Sequence, residues 1–191
     1  MMSEIDPIIT AIQNLAEEKK SVVIAIDGKS ASGKTRLAAW LSSGFDSCVI
    51  HMDHFFLPRE LRTKERFAEP GGNIHYERFS EEVADQLMKS EFPFRYNVFD
   101  CRSMKYNGIR TIWNAPLIIV EGTYCLRPEF RDLYDLKIFL DIDAEEQKRR
   151  IIARDGEGMW YNFANRWIPM ERIYFQKFDV ANCCDLIKVL S

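Results

Sequence analysis

A glycine-rich segment near residue 30 has the composition and spacing of a phosphate-binding loop. It reads Gly28-Lys29-Ser30-Ala31-Ser32-Gly33-Lys34-Thr35 and matches the pattern G-x-x-x-x-G-K-[ST]. In that pattern the glycines let backbone amides surround phosphate oxygens, the lysine reaches the outer phosphates and the hydroxyl binds Mg²⁺. The residues expected to contact a nucleotide are Gly28, Ser30, Ala31, Ser32, Gly33, Lys34, Thr35 and Arg36. We therefore expect ATP and Mg²⁺ at this segment, with Thr35 as a metal ligand.

Two carboxylates, Asp53 and Glu121, each follow an apolar run of residues. Glu121 is suited to hold the water shell of Mg²⁺ or to polarise an attacking group, and we expect it to be the second metal ligand. Asp53 is suited to accept the proton of an attacking hydroxyl, as a general base does in kinases. The alternatives are an exposed loop residue for Glu121 and a turn or helix-capping residue for Asp53.

Several arginines surround a glycine-broken segment late in the chain. They are Arg149, Arg150, Arg154 and Arg166, and the break lies at Gly156 and Gly158. A closing lid could bring guanidinium groups against the charge of a transferring phosphate, and we expect Arg150 and Arg154 to act there with Lys34. The alternative is a solvated helix face, on which rows of charge are common.

The elements that must position these residues alternate between apolar runs and helical patterns. Apolar runs typical of buried strands occupy 21–27, 48–53, 117–121, 136–140 and 185–190. Helical patterns begin at Asp6-Pro7, follow the glycine loop, and cover 80–89, 143–155 and 161–178, with Ser80 and Asp143 as caps. Asn107-Gly108 predicts a hairpin turn. We expect an α/β P-loop NTPase fold: a five-stranded, mostly parallel sheet sandwiched by helices, with a small lid and ligands at the carboxyl ends of the strands.

Length and charge bound the organisation and the partners. The 191 residues suit a single P-loop kinase domain over 1–191, with an acceptor-binding excursion at about 54–113 and a lid at about 150–166. The net charge of −3 argues against a nucleic-acid partner and favours a small molecule. The sequence shows neither a leader pattern nor a membrane-spanning apolar stretch, so we expect a cytoplasmic protein without a membrane partner. Homo-oligomer formation stays open.

Taken in order, the motifs resemble the uridine kinase family of P-loop kinases, and more closely its bacterial uridine kinase-like branch, over nearly the whole chain. Besides the glycine loop, Asp53-His54-Phe55-Phe56 resembles the family's Asp-x-Phe-Tyr segment, and Glu121-Gly122 matches its Glu-Gly. Arg149-Arg150 and Arg154-Asp155 resemble the family's lid arginines. Cys184-Asp185-Leu186-Ile187 resembles its terminal Ala-Asp-x-Ile strand. The resemblance implies transfer of the γ-phosphate of ATP to a hydroxyl of a nucleoside or nucleoside-like metabolite, with Asp53 as the catalytic aspartate.

The resemblance also suggests where the acceptor binds, and there the chain departs from the family. Asn73-Ile74-His75 resembles the family's Asn-Phe-Asp, and Tyr96-Asn97-Val98-Phe99 resembles the start of its Tyr-Asp-Phe segment. A histidine replaces the aspartate that would hold the ribose, and the histidine that reads the pyrimidine is absent. The residues expected to contact the acceptor are Asp53, Phe56, His75, Tyr96 and Arg166. The departures argue against uridine and leave the acceptor open.

Other functions compete with this interpretation. A GTP-driven switch would need an Asn-Lys-x-Asp motif to read guanine, and the sequence has none. A nucleotide-binding regulatory protein without acceptor chemistry stays open because of the altered acceptor positions. Within the kinases, nicotinamide riboside, pantothenate and sugar kinases of the same superfamily stay open as well.

Overall fold

The computed structural model of the chain describes residues 2–189. The strands are β1 (Val22–Gly28), β2 (Ser47–His51), β3 (Phe94–Asp100), β4 (Lys105–Ile112), β5 (Leu117–Glu121), β6 (Leu136–Asp141) and β7 (Leu186–Val189). The α-helices are α1 (Met2–Glu18), α2 (Lys34–Gly44), α3 (Lys64–Ala68), α4 (Tyr76–Phe79), α5 (Asp85–Lys89), α6 (Ala144–Asp155), α7 (Glu157–Asn162) and α8 (Ile168–Lys177). Turns of 3₁₀ helix cover Met52–Phe55, Arg59–Leu61 and Pro128–Leu133, and π-helical turns cover Ser80–Ala84 and Phe163–Trp167.

Five of the strands form one parallel sheet in the order β2-β5-β1-β6-β7, and β3 and β4 form a separate antiparallel hairpin. The sheet is buried on both faces because its strands carry apolar side chains in continuous runs. Ile24 and Ile26 of β1 pack with α1 and α2 on one face, whereas Ala25 belongs to the core on the other face with Phe79 and Tyr174. The predicted α/β fold with a five-stranded sheet is confirmed.

Two predicted helix starts are wrong. Helix α1 includes Pro7 and begins before Asp6, because Ile5 is buried against the sheet together with Ile8 and outweighs the helix-start signal of the proline. Ser80 does not cap a helix, since α4 already begins at Tyr76 and the helical stretch continues through Ser80 to Lys89. At the other end of the chain, Leu190 of the predicted fifth strand lies outside the described residues.

The predicted hairpin exists, but its turn lies elsewhere. Asp100 pairs with Lys105, so the chain reverses at 101–104 and Asn107-Gly108 lies within β4. The register shifts after Asn97, so that Asn107 and Gly108 together stand opposite a single residue of β3. This is a β-bulge, which uses the positive φ of Gly108, +113°, in place of a turn. The true turn brings Cys101 and Arg102 to the tip of the hairpin.

Among residues 2–189, no helix combines the length and apolar character needed to cross a lipid bilayer.

Candidate active site

The glycine loop joins the end of β1 to the start of α2. Gly28 has φ +141° and lies so close to β6 that a Cβ there would be 2.1 Å from the carbonyl oxygen of Leu140, so no other residue fits. Gly33, with φ +103°, is the N-cap of α2 and provides no side-chain hydrogen bond, and the first turn of α2 has no acidic residue. The first amides of α2 are therefore available to an anion, which the helix dipole also attracts.

Lys34 lies across this loop. Its side chain is largely buried, and Nζ donates hydrogen bonds to the carbonyl oxygens of Gly28, at 2.9 Å, and Lys29, at 2.8 Å. These two bonds hold the ammonium group over the concave side of the loop. A phosphate group in the loop would thus meet a fixed positive charge as well as backbone amides.

Glu121 ends strand β5, which lies between β1 and β2, and faces the start of α2. In the sheet register it stands between Ile26 of β1 and His51 of β2. The hydroxyl of Thr35 lies 3.2 Å from Oε1 and 3.3 Å from Oε2 of Glu121. Nδ1 of His51 lies 2.5 Å from Oε1, within hydrogen-bond distance. The carboxylate is buried, and its orientation is set by a hydroxyl on one side and an imidazole on the other.

Asp53 does not end the second strand, as the sequence predicts, but lies in the 3₁₀ turn that follows β2. Gly122 allows this turn to lie against the end of β5. It has φ +136°, and a Cβ there would be 2.7 Å from Cβ of Met52. The close approach of the two backbones brings Asp53 to the same end of the sheet as Glu121.

The carboxyl of Asp53 opens into a cavity but has protein walls around it. This loss of bulk solvent raises its pKa above the ordinary aspartate value, and the negative charge of Glu121 raises it further. The pKa is lowered in part by the charges of Lys34, His51 and Arg154, but the net direction is upward. A carboxylate whose pKa is raised is a stronger base once ionised, which suits it to accept a proton.

The cavity has a volume of about 770 Å³ and joins the glycine loop to Asp53. Its charged lining residues are Lys34, Arg36, Asp53, Arg62, Arg102, Glu121, Arg150, Arg154 and Glu171. Basic residues outnumber acidic ones six to three in this lining, although the chain as a whole is acidic. Positive charge is therefore concentrated where a polyphosphate would bind.

The lid segment places two of the predicted arginines on this cavity. Asp143 caps α6 as predicted, accepting hydrogen bonds from the amides of Glu145 and Glu146. Nε of Arg150 donates to Glu146 at 2.6 Å, and Arg154 pairs with Asp155 at 2.7 Å. Both arginines line the cavity.

Five of the predicted site residues lie away from the cavity wall. Gly28 packs against β6, and Ser32 is fully buried. Tyr96 is buried beneath the site, where its hydroxyl contacts Nδ1 of His54 at 3.0 Å. His75 precedes α4 and lies 4.0 Å from Glu77. Arg166 stacks over the rings of Phe67 and Trp167, which themselves line the cavity.

The remaining predicted nucleotide contacts line the cavity, as do Asp53 and Phe56. They are Ser30, Ala31, Gly33, Lys34, Thr35 and Arg36. The roles assigned to all these residues stay predictions.

Sequence reasoning missed several side chains of this region. Ser30 is held by two of them: Glu171 of α8 accepts from its amide at 3.1 Å and from its hydroxyl, and Gln147 of α6 donates to its carbonyl at 3.0 Å. Asp27 is fully buried behind the loop and accepts hydrogen bonds from three backbone amides and from the hydroxyl of Tyr174. No local motif could identify them, because their partners are distant in sequence.

Asn73 is a further missed residue, on the side of the cavity away from the loop. It is 4% exposed and lines the cavity, and within the described part of the chain its Oδ1 atom has no hydrogen-bond partner. A buried acceptor atom without a partner is costly unless a ligand supplies a donor. The family resemblance identifies the segment Asn73-Ile74-His75, but it points to His75 as the acceptor contact and not to Asn73.

The residues around Thr35 fit a magnesium ion. Mg²⁺ commonly uses one or two protein oxygens and completes its shell with water and phosphate oxygens. The Thr35 hydroxyl and the Glu121 carboxylate offer such oxygens side by side. Across the described residues, no group of three or more His, Cys, Asp or Glu side chains could hold a metal alone.

No family model matches the chain, but individual proteins do. It is 32% identical over 171 residues to a uridine kinase of Chlamydia pneumoniae, covering 82% of this chain and 75% of that protein. It is 30% identical over 153 residues to a uridine kinase of Clostridium botulinum strain Okra, covering 72% and 70%. Among solved structures, one described as a possible uridine kinase from Bacillus stearothermophilus superposes with a TM-score of 0.69 at 24% identity, covering 95% of this chain and 99% of that one.

Proposed function

The chain belongs to the uridine kinase family of P-loop kinases, and on that premise we propose that it transfers the γ-phosphate of ATP to a hydroxyl of a nucleoside or nucleoside-like metabolite. One observation carries the proposal. Asp53, the glycine loop and two arginines of the lid segment share a single cavity, so a base, a phosphate donor site and charge-stabilising groups face the same space. A protein that only binds nucleotide has no need of a carboxylate that shares a cavity with its phosphate loop and two arginines.

On the nucleotide side of the cavity, which comprises the glycine loop, the start of α2 and Glu121, the proposed partners are ATP and Mg²⁺. The amides at the start of α2 and Lys34 would hold the phosphate groups. Thr35 and Glu121 would hold the metal ion, which when bound offsets the negative charge of the phosphates. Arg150 and Arg154 would stabilise the charge on the transferring group.

On the acceptor side, which comprises Phe56, Arg62, Phe67, Asn73, Cys101 and Arg102, the proposed partner is a small hydroxyl compound. Its hydroxyl oxygen forms a bond to the γ-phosphorus while the bond from that phosphorus to the β–γ bridging oxygen breaks. ADP leaves, and the hydroxyl proton passes to the Asp53 carboxylate. Phe56 and Phe67 provide apolar surface, and the free Oδ1 of Asn73 can accept a hydrogen bond from the acceptor.

The test is a screen for acceptor-dependent ADP release with ATP and Mg²⁺. The panel should hold uridine, cytidine and other nucleosides, nicotinamide riboside, pantothenate and simple sugars. We expect at least one nucleoside-like compound to raise ADP release well above the rate without acceptor, and mass spectrometry to show a product heavier by one phosphoryl group.

Asp53→Asn is the matched control, because it removes the base and keeps the size of the side chain. It should lose the acceptor-dependent rate. ATP binding without transfer to any compound of the panel would contradict the proposal and favour a regulatory nucleotide-binding protein. A response to pantothenate or sugars alone would support the kinase activity but would show that the acceptor is not a nucleoside.

A further inference from the structure

We infer that His51 is a positioning residue that fixes the carboxylate of Glu121 for metal-dependent nucleotide binding. The inference rests on the proposed function, in which Glu121 holds Mg²⁺. His51 is the last residue of β2 and is paired with Glu121 in the parallel register. Residues paired across neighbouring strands have side chains on the same face of the sheet, so this placement follows from the strand order itself.

The hydrogen bond between these two residues has a defined direction. Nδ1 of His51 lies 2.5 Å from Oε1 of Glu121, and a carboxylate that holds Mg²⁺, as in the proposed function, is ionised and can only accept. Nδ1 therefore carries the proton. Oε1 receives this bond in addition to its approach to the Thr35 hydroxyl, so that His51 and Thr35 together hold Glu121.

His51 itself does not line the cavity, and its side chain is 28% exposed. Its hydrogen bond to Glu121 connects it to Thr35 and the glycine loop, whereas its effect on Asp53 is electrostatic and concerns the base and not metal binding. Outer groups of this kind orient metal-binding carboxylates, and their loss commonly reduces metal affinity or activity by about 10–100-fold. No local sequence pattern indicates this role, because the partner is 70 residues away.

A nearby histidine serves as an internal comparison. His54 stands three residues later, and its ring lies 5.1 Å from that of His51 in an edge-on arrangement. Its Nδ1 contacts the hydroxyl of Tyr96 and not Glu121. Burial, the larger cause, and the neighbouring His51, the next, lower the pKa of His54 to about 4. His54 is therefore neutral at physiological pH. His54 thus shares the surroundings of His51 but lacks its contact.

The experiment measures the affinity of the full chain for ADP by calorimetry, in MgCl₂ and in EDTA, for four proteins. In wild type, Mg²⁺ should tighten ADP binding. In His51→Phe, which keeps a ring but removes the donor, we expect this enhancement to fall about tenfold or more while affinity in EDTA stays within about twofold. In His51→Asn, whose amide can place a donor near the Nδ1 position, the enhancement should largely return. His54→Phe should keep the wild-type enhancement.

Turnover and melting temperature separate the remaining outcomes. The role of His51 is overturned if His51→Phe keeps the full Mg²⁺ enhancement, if His51→Asn loses as much as His51→Phe, or if affinity in EDTA falls equally with a lowered melting temperature. The proposed function fails independently, if wild type transfers no phosphate to any acceptor. Wild-type transfer combined with an unaffected His51→Phe would reject only the role of His51.

Discussion

The nucleotide side and the acceptor side of the cavity are built from different kinds of structure. The nucleotide side consists of the ends of β1 and β5 and the start of α2, and its side chains are held by strand register and short hydrogen bonds. The acceptor side consists of the segment between Phe56 and Asn73, whose regular structure is limited to a 3₁₀ turn and the short helix α3, and of the hairpin turn at Cys101 and Arg102. The first is fixed by the sheet, whereas the second can vary without disturbing the sheet. The proposed nucleotide contacts and the proposed acceptor contacts thus lie in separate parts of the fold.

Asp53 lies at the border of the two sides, and its substitution gives the largest expected effect. Asp53→Asn should lower kcat by about 10²–10⁴-fold, because the proton acceptor is lost. ATP affinity should change little, since the phosphate contacts of the loop remain. Steady-state kinetics and calorimetry with ADP check both. Loss of nucleotide binding in this variant would show that Asp53 belongs to the nucleotide side and is not the base.

Lys34→Ala tests the nucleotide side itself. Removal of the ammonium group should lower kcat by about 10²–10³-fold and weaken ATP binding as well, because the same charge contacts bound phosphate and the transferring group. The combined loss, measured in the same two assays, distinguishes it from Asp53→Asn. Arg59→Ala, in an exposed turn outside the cavity, is the matched removal of a cation and should leave both values unchanged. Intact ATP affinity in Lys34→Ala would break the division between the sides.

Asn73→Ala tests the acceptor side and should have a smaller effect. Loss of one hydrogen bond to the acceptor, about 0.5–1.5 kcal/mol, should raise KM for the acceptor about 2–10-fold and leave KM for ATP unchanged. Asn73→Asp keeps the acceptor oxygen and should retain most of the affinity for an uncharged substrate. An increase in KM for ATP in Asn73→Ala would mean that the two sides are not independent.

The smallest effect concerns pH. A base acts when ionised, so activity is present above the pKa of Asp53 and is lost as the pH falls through it. Because the loss of bulk solvent in the cavity and the charge of Glu121 raise that pKa, the acid limb of kcat/KM should lie above the value of about 4 of an ordinary aspartate. A pH profile with a saturating ATP concentration checks this. A limb at or below 4 would contradict the raised pKa, and the residual activity of Asp53→Asn should lack the limb.

The sequence predicted the nucleotide side far better than the acceptor side, for a physical reason. The glycine loop and the carboxylate after each buried strand are local patterns, and parallel strands bring their ends together without further information. The acceptor side depends on contacts between distant segments. Asn107-Gly108 favoured a turn but forms a bulge, which moved the hairpin tip to Cys101 and Arg102 and into the cavity.

The same limit explains the residues placed wrongly or missed around Asp53. The second strand ends at His51, so Asp53 depends on a 3₁₀ turn that packs against Gly122, a contact no local pattern records. No local pattern indicates a role for His51, since its partner Glu121 becomes a neighbour only in the sheet.

The hydrogen bonds that hold Ser30 have a practical consequence for protein engineering. Gln147 of α6 and Glu171 of α8 both form hydrogen bonds to Ser30, and the arginine-bearing segment lies between them in the chain. The stretch 148–170 is therefore a segment whose flanking residues both form hydrogen bonds to Ser30 of the glycine loop. Segments from related kinases could be exchanged at these two positions, so that Ser30 keeps its hydrogen bonds while the arginine-bearing segment is replaced.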